Sequence, residues 1–227
     1  MTDTYHLCMA TDLESYSGVG LDGHRRLQEM LFGALQAALR AALGPDLEDC
    51  KRQPQGDGEL TVLPSHRSDG ATLRVLLIEL ILQLARANDA LLPDRRARVR
   101  IGLEGGHLGA APGGHAGDPP IAAFRLCNAE PVKAALAASA GHYAVVASDY
   151  VYRNMIRPGF TGTGWQFRQI PVSVKEYSGI GWLHVPDETG EAGPLAPPPA
   201  RPDAASSPRG VRSAQDGPPR LQEGGLV

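Results

Sequence analysis

The chain has 227 residues, of which 42% are hydrophobic and 21% are charged, a composition typical of a soluble globular protein. Its formal net charge of −3 favours neither nucleic acid nor an anionic membrane as a partner. The three cysteines, Cys8, Cys50 and Cys127, are widely spaced and form no CxxC pair. This pattern argues against a disulfide framework or a zinc site and fits a reducing compartment.

No segment reads as a targeting or membrane-spanning sequence. The N-terminus lacks a basic stretch followed by an apolar run, and the most apolar segment, residues 75–84, is too short to span a bilayer and contains Glu79. We therefore expect a cytoplasmic protein without a membrane partner.

In chain order, the apolar patterns of the first part of the chain predict a strand over 5–11, a helix over 22–43, a strand pair over 50–55 and 59–63, a helix from Ser68 or Asp69 to about 92, and a strand over 98–103. The remainder predicts a glycine-rich loop over 105–119, a helix over 120–138 interrupted near Pro131, a strand over 143–147, a short helix near 149–155, and a strand pair over 165–174 and 179–185.

The order of these elements predicts the fold class. The first six, β α β β α β, form the ferredoxin-like arrangement, and further β/α elements extend it. Because close hairpins alternate with helical crossovers, we expect an α/β (α+β) fold with a mixed sheet covered by helices.

The composition changes sharply near Pro186. Residues 1–186 carry the predicted elements, whereas residues 187–227 are rich in Pro, Gly, Ser and Ala and have almost no large apolar side chains. Such a segment cannot bury enough surface to offset the entropy of ordering, so we predict a disordered tail. A passive extension is the simpler interpretation, and a polyproline segment that binds a protein partner is the alternative.

Two aspartates stand at predicted strand ends. Asp12 follows the first strand and precedes a small-residue turn, and Asp57 lies in the turn Gly56-Asp57-Gly58 between the second and third strands. Singly, each is typical of a cap or hairpin residue. Together, two carboxylates at neighbouring strand tips could bind two divalent ions, which activate a hydroxyl and neutralise a triphosphate in one in-line displacement.

Five motifs in a fixed order resemble a known family. They are Asp12-Leu-x-x-Tyr-Ser, Gly-Asp57-Gly, Arg100-Ile-Gly-Leu-Glu-Gly-Gly-His, Gly117-x-x-x-Ile-x-x-x-Arg125-Leu and Ala147-Ser-x-x-Val. Each is weak alone, but their order and spacing over about residues 4–186 resemble class III adenylyl/guanylyl cyclase domains.

The resemblance implies roles for these residues. Asp12 and Asp57 would bind two Mg²⁺ or Mn²⁺ ions, and Arg125 would stabilise the transferring phosphate of a nucleoside triphosphate. The turn after the first strand would bind the phosphates through Leu13, Ser15, Tyr16 and Ser17. The resemblance also implies a head-to-tail homodimer, in which the aspartates of one chain and the arginine of the other complete each site. The product would be a 3′,5′-cyclic nucleotide with pyrophosphate.

Several positions depart from the family pattern. Ile121 stands where an asparagine orients the ribose, and isoleucine forms no side-chain hydrogen bond. Tyr177 stands where a lysine supplies positive charge, and tyrosine is uncharged at neutral pH. The base-selecting positions fall near Gln53 and Gly114 and match neither the adenine-type nor the guanine-type pair. Gln53 can still hydrogen-bond a base, with Lys51 on the same strand face.

These departures leave three functional classes open. The preferred one is metal-dependent binding of a nucleoside triphosphate, with slow cyclisation. The second is an inactive homologue that senses nucleotide or serves dimerisation, which Ile121 and Tyr177 favour and the intact Asp12, Asp57 and Arg125 oppose. The third is a protein-interaction module that recruits its partner through the proline-rich tail.

Overall fold

Seven strands form one mixed sheet in the order β2-β3-β1-β4-β6-β8-β7, and the short strand β5 pairs with β4. This computed structural model describes residues 3–14, 20–111 and 114–186. The strands are β1 (Thr4–Leu13), β2 (Lys51–Pro54), β3 (Gly58–Val62), β4 (Val99–Ala111), β5 (Gly114–Ala116), β6 (Tyr143–Ser148), β7 (Arg168–Val174) and β8 (Tyr177–His184). The predicted tail, residues 187–227, lies outside the described residues.

Four main helices cross between the strands. They are α1 (Gly20–Leu43), α2 (Gly70–Asn88), α3 (Asp118–Cys127) and α4 (Glu130–Ala138). A short helical segment after β6 is α-helical over Asp149–Val151, π-helical over Tyr152–Ile156 and α-helical again over Arg157–Gly159. Asp69 begins α2 as predicted, because its side chain accepts hydrogen bonds from the first backbone N–H groups of the helix. No described helix is long and apolar enough to cross a membrane.

The predicted fold class is confirmed. β1, α1, β2, β3, α2 and β4 follow one another as expected, and their strands lie side by side in the order β2-β3-β1-β4. These four strands pair antiparallel, whereas β4 and β6 pair parallel through the α3–α4 crossover. The sheet is therefore mixed, with helices on both faces.

Strand β1 divides its side chains between the two layers. Leu7 and Met9 belong to the core beneath α1 and α2, whereas Cys8 and Ala10 belong to the core beneath α3. This division follows from the two-residue side-chain period of a strand. The same period places Asp12 on the α3 face of the sheet.

The three cysteines lie within the described residues, and all are buried and free. Burial raises the pKa of the Cys8 thiol to about 12 and that of Cys50 to about 11. Cys127 is fully buried on α3, where its Sγ lies 3.1 Å from the Ala10 carbonyl oxygen. These thiols are packing groups of the core.

The predicted loop over residues 105–119 is wrong. β4 continues to Ala111, pairing with β1 as far as Leu108, and β5 then turns back along it. Glycine is disfavoured in strands, which explains the error. Here a Cβ on Gly105 would lie 1.9 Å from the Tyr5 hydroxyl, so the missing side chain gives Tyr5 its packing space. Tertiary packing therefore overrides the local preference of these glycines.

Candidate functional site

Asp12 and Asp57 meet at the edge of the sheet where β1 ends. Asp12 pairs with Gly58 of β3 and, on its other side, with Arg100 of β4. Asp57 immediately precedes Gly58, and the Leu13 N–H donates to the Asp57 carbonyl oxygen at 2.9 Å. We call Asp12, Asp57 and Arg100 the aspartate edge. The strand register thus brings together the two residues predicted to bind metal.

The two glycines that flank Asp57 are required for different structural reasons. Gly56 adopts φ +71°, a left-handed conformation that favours glycine. A Cβ on Gly58 would lie 1.9 Å from the Thr11 carbonyl oxygen, a distance that real Cβ atoms do not show. β3 therefore approaches β1 closely only because residue 58 has no side chain, and this approach fixes Asp57 beside Asp12.

The charges of the aspartate edge favour the binding of a cation. Burial raises the pKa of Asp12, the Arg100 guanidinium that contacts its Oδ2 opposes this effect, and the neighbouring Asp57 raises the pKa further. Of the two carboxylates, Arg100 contacts that of Asp12 only, and both offer the oxygen atoms that Mg²⁺ or Mn²⁺ binds. The residues fit a divalent ion, which would use the Asp12 oxygen that Arg100 leaves free.

The predicted phosphate-binding turn is only partly described. Ser15, Tyr16 and Ser17 lie outside the described residues. Leu13 is described and 2% exposed, and its N–H is engaged by Asp57 within the sheet edge. Phosphate binding by this turn stays a prediction.

Arg125 lies in a separate cleft of about 570 Å³ between α3, β4 and the β7–β8 turn. The residues that line it include Glu104, Asp118, Ile121, Arg125, Glu176 and Tyr177. We call this the arginine cleft. Ile121 and Arg125 are four residues apart on α3 and face the cleft together, and Ile121 is 51% exposed. The described residues that line the cleft do not include Asp12 or Asp57.

Arg125 already forms an ion pair with an acidic side chain of the same chain. Glu176 Oε2 accepts a hydrogen bond from Arg125 Nη2 at 2.5 Å, and the Arg125 side chain is 24% exposed. Glu176 itself is 79% exposed at the tip of the β7–β8 turn. Sequence reasoning missed Glu176, because 51 residues separate it from Arg125 and no pattern links the two.

Tyr177 carries no positive charge in this setting. Burial and the nearby Glu104 raise the pKa of Tyr177 to about 12, so its hydroxyl is protonated at neutral pH. Glu104 Oε1 accepts hydrogen bonds from the Ser148 hydroxyl at 2.6 Å and from the Gly105 N–H at 2.8 Å. Burial raises the pKa of Glu104, and these two bonds partly offset the effect. The cleft therefore places a neutral phenol, and not an ammonium group, beside Arg125.

The predicted base-binding residues share a third surface. Lys51 pairs with Val62 and Gln53 with Leu60, so both side chains point to the same face of β2. A cavity of about 460 Å³ is lined by these four residues and by Pro120 at the start of α3. Gly114, the other base-selecting position, begins β5. Base binding by Lys51 and Gln53 stays a prediction.

A second group of ligand-type side chains lies away from the two aspartates. Among the described residues, oxygen or nitrogen atoms of Asp46, Asp49 and His66 lie within 4.8 Å of one another. Asp46 already lies 3.4 Å from His66 Nε2 and 3.6 Å from Arg67 Nε. The positive charge of Arg67 makes an ion-pair cluster the simpler interpretation.

Arg100, which opens one of the five motifs, is a further residue of the site to which sequence reasoning gave no role. It is 12% exposed and contacts Asp12 directly. Its signal in the sequence is an arginine between the apolar residues Val99 and Ile101 of a predicted strand, a position that favours a charged partner. That partner could be named only once the register of β1 and β4 was known.

No protein-family model matches the chain, and no curated protein matches it. Solved structures do match, and they are adenylyl and guanylyl cyclase domains. The guanylyl cyclase Cya2 is 13% identical over 81% of this chain and 91% of its own, with a TM-score of 0.55. An adenylate/guanylate cyclase/hydrolase from Silicibacter pomeroyi is 18% identical over 82% and 99%, with a TM-score of 0.52. The guanylate cyclase domain of RhGC from Catenaria anguillulae is 14% identical over 82% and 98%, with a TM-score of 0.51.

The likeness concerns the fold. At 13–18% identity it shows that the described chain has the architecture of class III cyclase domains. It does not assign to the aspartate edge and the arginine cleft the roles of residues in those domains.

Proposed function

We propose that this chain binds a nucleoside triphosphate with Mg²⁺ or Mn²⁺ at the interface of a homodimer, and that it forms a 3′,5′-cyclic nucleotide at most weakly. The observation that carries the proposal is the meeting of Asp12 and Asp57 at one sheet edge beside Arg100. The cyclase-like fold supports it. One structural neighbour is described with GTP bound, another with ATPαS, and a third as a dimer.

The aspartate edge would hold the metal-bound triphosphate. Asp12 and Asp57 would supply oxygen ligands to two ions, which when bound neutralise the phosphates and activate the ribose hydroxyl. Arg100 would keep Asp12 ionised and offer its guanidinium to a phosphate oxygen. Asp12 and Arg100 are placed by paired strands and Asp57 by the turn that leads directly into β3, so the geometry needs little rearrangement on binding.

The arginine cleft would come from the second subunit. Arg125 would stabilise charge that develops on the transferring phosphate. Because neither Asp12 nor Asp57 lines the Arg125 cleft, a complete site would need two chains. Ile121 cannot orient the ribose and Tyr177 adds no positive charge, so we expect no robust turnover of ATP or GTP.

The test is calorimetric titration of each of the four nucleoside triphosphates with and without Mn²⁺. We expect binding only with the ion, because unneutralised carboxylates repel a triphosphate. Asp57→Ala should abolish this binding while leaving the far-ultraviolet circular dichroism spectrum unchanged. Asp89→Ala removes an exposed aspartate beyond α2 and is the matched control, which should bind as the parent does.

Mass spectrometry of the same mixtures would identify any cyclic product. Equal nucleotide affinity of Asp57→Ala and the parent would refute the proposed metal site. Retained binding without any product would instead identify a nucleotide-binding domain that does not catalyse.

A further inference from the structure

The β7–β8 hairpin presents Glu176 from an unusual turn. Val174 pairs with Tyr177, which leaves Lys175 and Glu176 as a two-residue turn. Lys175 has φ +53° and is the only non-glycine residue with positive φ among the described residues. A side chain in this left-handed region is disfavoured, and such turns normally carry glycine there. The hairpin thus accepts an unfavourable backbone conformation just before the residue that reaches Arg125.

Glu176 uses the part of Arg125 that an anionic ligand would need. Its Oε2 lies 2.5 Å from Nη2, one of the two outward nitrogens of the guanidinium fork that binds phosphate oxygens in pairs. Glu104 and Asp118 also line the cleft, so carboxyl groups outnumber the single arginine. A phosphate entering this cleft must therefore replace one anion at Arg125 and approach two others.

We infer that Glu176 is a built-in competitor of the phosphate ligand, which lowers the affinity of the arginine cleft for anions. The inference rests on the proposed function, since it concerns the ligand of the same site. The apparent affinity is the intrinsic affinity multiplied by the fraction of molecules in which Arg125 is free, and the carboxylate keeps that fraction below one. Glu176 is 79% exposed, so solvent weakens the pair enough for a triphosphate to displace it.

The test is the exchange Glu176→Gln, which removes the charge and keeps the shape. Mn²⁺-dependent triphosphate binding should tighten about two- to fivefold, the range of an exposed ion pair. The gain should shrink between about 0.05 and 0.5 M salt, because salt screens the pair that the variant lacks. Glu29→Gln removes an exposed charge from α1 and should leave the affinity unchanged.

A double variant separates competition at Arg125 from a general charge effect. In an Arg125→Ala background, Glu176→Gln should give no gain, and a persisting gain would overturn the inference. Equal affinity of Glu176→Gln and the parent would also overturn it, while parent binding that Asp57→Ala abolishes would leave the proposed function standing. Absence of binding by both the parent and Glu176→Gln would overturn the two together.

Discussion

The aspartate edge and the arginine cleft are built by different means. At the edge, Asp12 and Asp57 are placed by backbone pairing and by a contact at Gly58 that leaves no room for a Cβ. In the cleft, Arg125 and Ile121 project from one helix face, and Glu176 reaches over from an exposed turn. The aspartates cannot be displaced without disturbing the pairing of the sheet. Side chains of the cleft can be replaced at little cost to the fold. The two aspartates that fit the cyclase pattern lie at the edge, whereas Ile121 and Tyr177, which depart from it, lie in the cleft beside Arg125, which fits it.

The largest expected effect comes from rebuilding the arginine cleft. Ile121→Asn with Tyr177→Lys would restore a ribose-orienting amide and a positive charge, and Glu104 would favour the ionised lysine. One preorganised group of this kind changes turnover by a factor of about 10²–10³. We expect at least this gain in Mn²⁺-dependent cyclic nucleotide formation, measured as a time course by mass spectrometry.

The control for the rebuilt cleft is the same pair of changes combined with Asp12→Ala and Asp57→Ala, which should be inactive. If the variant with the rebuilt cleft binds triphosphate but forms no cyclic nucleotide, the cause of the low activity lies outside these two positions. Turnover of several per second by the parent would show that it orients its substrate through other groups, and the two regions would then be equally competent.

The second expected effect concerns stability at the edge. Gly58→Ala would force its methyl group against the Thr11 carbonyl and push β3 from β1. We expect a loss of about 3 kcal/mol in the free energy of unfolding, the upper range for overpacking, together with weaker metal binding. Gly179→Ala in β8 is the matched control, because its Cβ would meet only ordinary contacts at 3.9 Å.

Urea denaturation of both glycine variants measures the difference. A change within about 0.5 kcal/mol for Gly179→Ala is the surface norm. Equal losses at the two positions would show that the aspartate edge is no more constrained than the cleft hairpin.

The smallest expected effect is a gain in stability at the cleft. Lys175→Gly would relieve the left-handed backbone of the β7–β8 turn, a relief worth about 1 kcal/mol. For a domain of this size we expect the melting temperature to rise by about 2–4 °C. Ser173→Gly, in the extended part of the same hairpin, should lower it, since glycine weakens a strand. A fall with Lys175→Gly would mean that the lysine side chain has a stabilising contact of its own.

More of the aspartate edge than of the arginine cleft could be predicted from the sequence. The meeting of Asp12 and Asp57 follows from where strands end, and the structure has it so. Predicting the contact between Arg100 and Asp12 requires the register of β1 and β4, which a periodic pattern alone does not define. The pairing of Glu176 with Arg125 depends on how a hairpin tip lies over a helix, and local sequence carries no such information. The glycines of β4 misled for a related reason, because tertiary neighbours fill the space they leave, as Tyr5 does at Gly105 and Pro119 at Gly106.

The burial of Cys8, Cys50 and Cys127 gives the chain a silent background for thiol labelling. With pKa values of about 12 for Cys8 and 11 for Cys50, fewer than about one thiol in 10³ is ionised at pH 7. Maleimide or spin-label reagents should therefore leave the native protein untouched. A single cysteine introduced at exposed Glu29 could then report the distance between the subunits of the proposed homodimer, without first removing any native cysteine.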